Sequence, residues 1–163
     1  MATTITGSDL TVTVNDNITL NNVSYGGSTS ALSTGCNQVV QRIVEVADMA
    51  APEVGQTWTS LFNFSTANDA GVGIKLEFQY ARVTNLDDTN YILLQLETVA
   101  ANNVLMFKLD AGESYNITNN AMVALTAAAP ATGYESTSTL SGIRAAADTD
   151  PVDVEIMVVL KTA

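Results

Sequence analysis

Residues 73–118 read GIKLEFQYARVTNLDDTNYILLQLETVAANNVLMFKLDAGESYNIT, and their alternation decides the fold class. Ile74, Leu76, Phe78 and Tyr80 fall on one face of the first run, opposite Lys75, Glu77 and Gln79. A period of two marks a strand buried on one side. Thr84-Asn85-Leu86-Asp87-Asp88-Thr89-Asn90 then turns the chain, because Asn and Asp side chains bond their own backbone and tolerate left-handed conformations. Strands over 91–98 and 104–109 follow, joined across Ala100-Ala101-Asn102-Asn103.

The same alternation extends outward. Leu10, Val12 and Val14 alternate with Thr11 and Thr13, and Asn15-Asp16-Asn17 is expected to turn this strand into 18–23 as an N-terminal hairpin. The Gly/Ser-rich stretch 24–37, SYGGSTSALSTGCN, reads as a loop. Over 39–46, Val40, Val44 and Val46 share a face with Arg42, opposite Val39, Gln41, Ile43 and Glu45. Pro52 and Gly55 bound the next turn, and 56–64 is a strand with Trp58, Phe62 and Phe64 on one side. Those aromatics are expected to join Phe78 in one core.

Tyr115 and Ile117 continue the alternation, and 121–125 is a short candidate strand. Residues 127–147 mix Ala, Thr, Ser and Gly with Pro130 and read as a surface excursion, with a turn of helix around Leu140, Ile143 and Arg144. At the end, Val152, Val154, Ile156, Val158 and Leu160 form one face opposite Asp153, Glu155 and Lys161, which suggests a central strand. Eight or nine strands with turn signals between them predict an all-β fold, an antiparallel β-sandwich that is jelly-roll-like, as a single domain over 1–163. At 163 residues, surface scaling gives about 7,800 Å² accessible when folded against about 25,000 Å² extended, so an independent core is affordable.

Seventeen acidic and six basic residues give a net charge of −11. Arg42, Lys75, Arg82, Lys108, Arg144 and Lys161 are dispersed and form no basic run, which opposes nucleic-acid binding. No apolar run approaches the ~18 residues of a membrane span. The first residues, MATTITGSDL, lack the charged and apolar regions of a signal peptide, so synthesis in a cytoplasm is expected. Asn-x-Ser/Thr sequons at Asn17, Asn22, Asn63 and Asn116 then read as by-products of a Thr/Asn-rich composition.

Candidate chemistry is sparse. The chain has no His, the commonest general base and transition-metal ligand. Cys36 is the one cysteine and reads as a small apolar residue. Gly71-Val72-Gly73 lacks the further glycine and helix of a phosphate loop. Asp87 and Asp88 read as solvated turn residues. Asp148, Asp150 and Asp153 place oxygen ligands at near-alternate positions, as a hard cation such as Ca²⁺ would want, without the glycine and terminal Glu of an EF-hand. Tyr25, Tyr80, Tyr91, Tyr115 and Tyr134 would form a sugar-stacking platform if exposed together, although Tyr80 and Tyr91 flank one hairpin and also read as a cross-strand pair. No catalytic, cofactor-binding or metal residues are therefore assigned, and no enzyme activity or cofactor is expected.

The stretch 82–118, with its turn Thr84-Asn85-Leu86-Asp87-Asp88-Thr89-Asn90-Tyr91 and its segment Phe107-Lys108-Leu109-Asp110-Ala111-Gly112-Glu113, resembles small structural proteins of tailed-phage virions, capsid decoration (cement) proteins among them. The resemblance implies a sandwich or jelly-roll domain on the capsid exterior, with the major capsid protein as partner and homotrimers as the assembly. It transfers no catalytic residue. A tail, neck or fibre-base protein, or a carbohydrate-binding sandwich, are the alternatives.

Overall fold

A computed structural model describes residues 7–49, 58–64, 76–98, 104–118, 123–125, 134–136 and 140–162, and it contains no helix among them. The chain divides into two units, Met1–Asn37 and Gln38–Ala163.

The first unit is a two-stranded ribbon. β1 (Ser8–Asp16) pairs antiparallel with β4 (Gly27–Cys36), with partners running from Ser8↔Cys36 to Asp16↔Gly27. Beyond that pair, β2 (Thr19–Leu20) and β3 (Val23–Ser24) close the tip. The reversal falls at Asn21 and Asn22, with φ of 50° and 61°. Positive φ at both central residues makes a type I′ turn, whose twist matches that of the flanking strands. Asn is among the few residues that enter this region at low cost. The expected turn at Asn15-Asp16-Asn17 is therefore corrected, since β1 continues to Asp16 and the chain reverses five residues later. The expected loop over 24–37 is corrected as well. Gly and Ser have low strand preference, but from Gly27 to Ser33 the β1 ladder pairs with them and holds them in the strand, and Gly35 takes a positive φ of 73° at a bulge. At Gly26 a Cβ would collide with the Asp16 carbonyl oxygen, so only glycine lets the two strands close there.

In the second unit, eight strands make the sandwich. These are β5 (Gln38–Val46), β6 (Thr59–Asn63), β7 (Leu76–Asn85), β8 (Ile92–Thr98), β9 (Val104–Leu109), β10 (Ser114–Thr118), β13 (Leu140–Ala147) and β14 (Val152–Thr162). A separate hairpin, β11 (Val123–Leu125) with β12 (Tyr134–Ser136), lies between β10 and β13 in the chain. One sheet has the order β10-β7-β14-β5 and the other β6-β13-β8-β9, every pair antiparallel. Counting only the eight, the pairs are first with eighth, second with seventh, third with sixth and fourth with fifth. That nesting is one long hairpin rolled over itself, with its tip at β8–β9, and it is the winding of a jelly roll. The fold is thus the antiparallel all-β sandwich that the alternation predicts.

The core lies between the two sheets. Phe62, Leu61, Ile92, Leu94, Leu96, Ile143, Val83, Ile117, Ile156, Val158 and Leu160 are all buried there. Each buried side chain of this size contributes about 1.5–3 kcal/mol over exposure. β14 sits between β7 and β5 with its even-numbered residues inward, as expected of a central strand. Phe62, Phe64 and Phe78 form a chain of rings with centroids 4.7 and 5.4 Å apart. Trp58, expected with them, is half-buried and stands outside that cluster.

Two further expectations need correction. Phe78 and Tyr80 do not share a face, because Val159 pairs with Tyr80 while Leu160 pairs with Phe78. The extra residue, Gln79, makes a bulge, and a shift of one residue sends Tyr80 to the outer face while Ala81 and Val83 turn inward. The segment around Leu140, Ile143 and Arg144 is strand β13 rather than helix. β6 and β8 pair with its two edges, and those ladders override the helix preference of its alanines. Ala100-Ala101-Asn102-Asn103, Gly71-Val72-Gly73 and the Pro52–Gly55 turn lie outside the described residues.

Candidate assembly surface

Three loops of the sandwich meet at one end, and a buried asparagine ties two of them. Asn85, at the end of β7, is fully buried. Its Nδ2 donates to the carbonyls of Asn90 (2.8 Å), Leu109 (3.3 Å) and Asp110 (3.3 Å), and its Oδ1 accepts from the Asp87 amide at 3.0 Å. The Leu86 amide donates to the Asp153 carbonyl and the Asp148 amide to that of Tyr91. Asp87 is a turn residue, as expected. Its carboxylate accepts from the amides of Thr89 (2.8 Å) and Asn90 (2.7 Å), and those donors hold its pKa below the ordinary value. Lys108 pairs with Asp110 at 2.6 Å, which raises its pKa, and lies 4.4 Å from the Tyr91 ring centroid.

This end is acidic, and Asp87, Asp110 and Glu113 each bond to groups close by in sequence. Among the described residues, no three Asp, Glu or Cys side chains come close enough to hold a metal, and Asp148, Asp150 and Asp153 form no such cluster.

The outer face of the β10-β7-β14-β5 sheet is a hydrogen-bonded lattice. Glu155 accepts from Gln41 Nε2 at 2.7 Å and pairs with Arg82 at 2.8 Å, and both hold its pKa below the ordinary value. Tyr80 donates to Asn116 Oδ1 at 2.8 Å, and burial pushes its own pKa up. Thr84 and Ser114 share a hydrogen bond across β7 and β10 at 2.8 Å. On the other sheet, Arg144 pairs with Glu97 at 3.0 Å.

The tyrosines do not gather into a sugar-stacking platform. Tyr80 belongs to that lattice, Tyr91 to the loop end, and Tyr115 stacks on Phe107 at 4.5 Å. Tyr25 is exposed on the ribbon, and the side chain of Tyr134 lies outside the described residues. Nor are Tyr80 and Tyr91 a cross-strand pair, since β7 and β8 belong to different sheets. Cys36 is buried, with its thiol directed at the Ser33 carbonyl, as its plain reading expects.

What stands out is the ribbon. Of the ten large apolar side chains exposed in the described structure, Val14, Ile18, Leu20, Val23, Tyr25 and Leu32 lie on it, and Cys36 is its one buried residue. The register puts Leu10, Val12 and Val14 of β1 on one face with Ala31 of β4. Leu20 faces Val23 across the tip, where the Tyr25 amide donates to the Ile18 carbonyl. An isolated two-stranded ribbon has no interior of its own and is marginal in water. Sequence reasoning missed this surface because the partner strand is Gly/Ser-rich. The signal that could have found it is Asn21-Asn22 between apolar pairs, a type I′ hairpin signature.

The sandwich protects its own edge in a way that the ribbon does not. On edge strand β5, Arg42 points inward, donates to the Leu61 carbonyl, and sits 6.0 Å from the Phe62 ring centroid. An inward charge on an edge strand discourages further strand pairing. Residues 7–37 contain no Lys, Arg or Pro. Comparison with known proteins finds no family model, no curated protein and no solved structure that matches this chain.

Proposed function

We propose that this chain is a non-enzymatic structural component of a virus particle, a decoration protein on the exterior of a tailed-phage type of capsid, with the major capsid protein as its partner. The observation that carries the reading is the ribbon, an apolar, edge-exposed element joined in sequence to a jelly roll that completes its own core. Jelly rolls serve in capsids and in lectins, so the winding alone does not choose between them. The dispersal of the described tyrosines favours assembly over sugar stacking.

Function then follows from repetition. Each copy makes a modest contact, and many copies on a lattice resist its expansion together. Attachment rests on apolar and neutral polar groups, because the six basic residues are dispersed and largely engaged within the fold. The test is to incubate undecorated particles with the purified protein across a salt series and count bound copies. Occupancy is expected to hold or rise up to ~0.3 M salt, as screening weakens repulsion between acidic copies. Absence of binding overturns the reading, and steep loss with salt overturns the apolar mode of attachment.

A further inference from the structure

From the ribbon's charge and edges we infer that residues 7–37 are a self-association element, and that the ribbons of other copies of this chain cover its apolar surface. Charge selects the occupant. The ribbon unit carries two acidic residues, Asp9 and Asp16, and no basic one, whereas residues 38–163 carry fifteen acidic and six basic. Two copies that approach through their jelly rolls bring net negative charge against net negative charge. Through their ribbons they bring Leu10, Val12 and Val14 against the same residues, at little electrostatic cost. A strongly basic partner would find its complement on the jelly roll instead.

The edges agree. Among the described residues β1 and β4 pair only with each other along their length and leave their outer edges open, and neither strand carries the Lys, Pro or inward charge that blocks strand addition. A like ribbon satisfies such an edge through backbone groups alone.

Area sets the number of copies. From Ser8 to Leu20 the ribbon is thirteen residues long. At ~3.4 Å per residue and two strands wide, one face covers roughly 440 Å². A stable interface needs about 800 Å² per partner. One face alone falls short, and a ribbon that turns this face to a shared axis and sets its two open edges against two other copies comes up to it, so three ribbons make the smallest closed arrangement.

A copy-to-copy seat does not require a capsid, so failure to bind particles leaves it standing. The test is light scattering of the full chain over a concentration series. Three times the single-chain mass of 17.1 kDa is expected for the native protein. Val14→Asp with Leu20→Asp should weaken association at least ~10-fold and return the single-chain mass. Val23→Asp alone serves where the pair fails to accumulate. The control is Val39→Asp with Ile43→Asp on β5, at side chains that are 62% and 63% exposed, and it should leave the mass unchanged. A single-chain mass for the native protein at every concentration overturns the inference. So does assembly that survives the ribbon variants, or that the β5 variants abolish equally.

Discussion

The jelly roll and the ribbon are built from strands of similar length and nearly the same alternation, yet one buries its apolar face and the other shows it. In β14 the even-numbered residues from Val152 to Leu160 are all buried, covered by the facing sheet. In β1 the alternation of Leu10, Val12 and Val14 is as regular, but Leu10 and Val12 are only half-buried, Val14 is exposed, and among the described residues β4 is the one strand paired with it. Period two therefore states that a strand wants one covered face, and it is silent on whether the cover comes from the same chain.

The largest effect that would break this contrast lies in the core. Phe78→Ala should cost about 3–5 kcal/mol in chemical denaturation, as for other buried Phe truncations, whereas Leu20→Ala in dilute protein should cost less than about 0.5 kcal/mol. Similar losses at both positions would mean that the ribbon has an internal cover. Next in size is Asn85→Ala, which removes the side-chain donor to three carbonyls and the acceptor of the Asp87 amide. Unpaired buried groups cost about 1–3 kcal/mol, so a midpoint shift of that order is expected, and none would show that the loop end holds without its tie.

Within the ribbon, replacing Asn21 and Asn22 together by Ala puts residues with a left-handed penalty of about 1–2 kcal/mol each into the turn. In the assembled protein, faster amide exchange is expected in β1–β4, with β7 and β14 unchanged. Equally faster exchange in β7 and β14 would contradict the separation of the two units. The smallest effect is with pH. Asp87 and Glu155 have depressed pKa values, from ordinary values of 3.8 and 4.5. A carboxyl with a depressed folded pKa stabilises above its unfolded value, and loses that contribution as pH falls through the folded one. Stability of the jelly roll should thus drop below about pH 4, and Asp87→Asn should flatten part of that slope. A slope unchanged by the substitution would remove Asp87 from the account.

Much of the jelly roll was legible because its strands carry their pattern locally. Val152 to Leu160 announces a buried face, and Thr84 to Asn90 announces a turn in its Asn and Asp side chains. β4 was not legible, since Gly27, Ser28 and Ser30 have no strand preference and are held by β1 across the ribbon. β13 was not, because Leu140, Ile143 and Arg144 repeat at helical spacing while the deciding ladders come from β6 and β8, distant in sequence. The Gln79 bulge has no mark in the residue types around it, so alternation carried Tyr80 to the wrong face. The candidate surface escaped for a related reason: exposed apolar residues of a ribbon read the same as buried ones of a sandwich.

Hydrogen exchange on the full chain, first dilute and then assembled, tests most directly whether the ribbon finds its cover outside its own chain. In dilute protein, amides of β1 and β4 should exchange near the rate of local opening, with protection close to zero, while those of β7 and β14 report global stability. On assembly the ribbon amides should slow by at least ~10-fold, a stabilisation of about 1.4 kcal/mol or more, with β7 and β14 little changed. A ribbon as protected as β14 in the dilute single chain would contradict the account, because its apolar face would then already be covered.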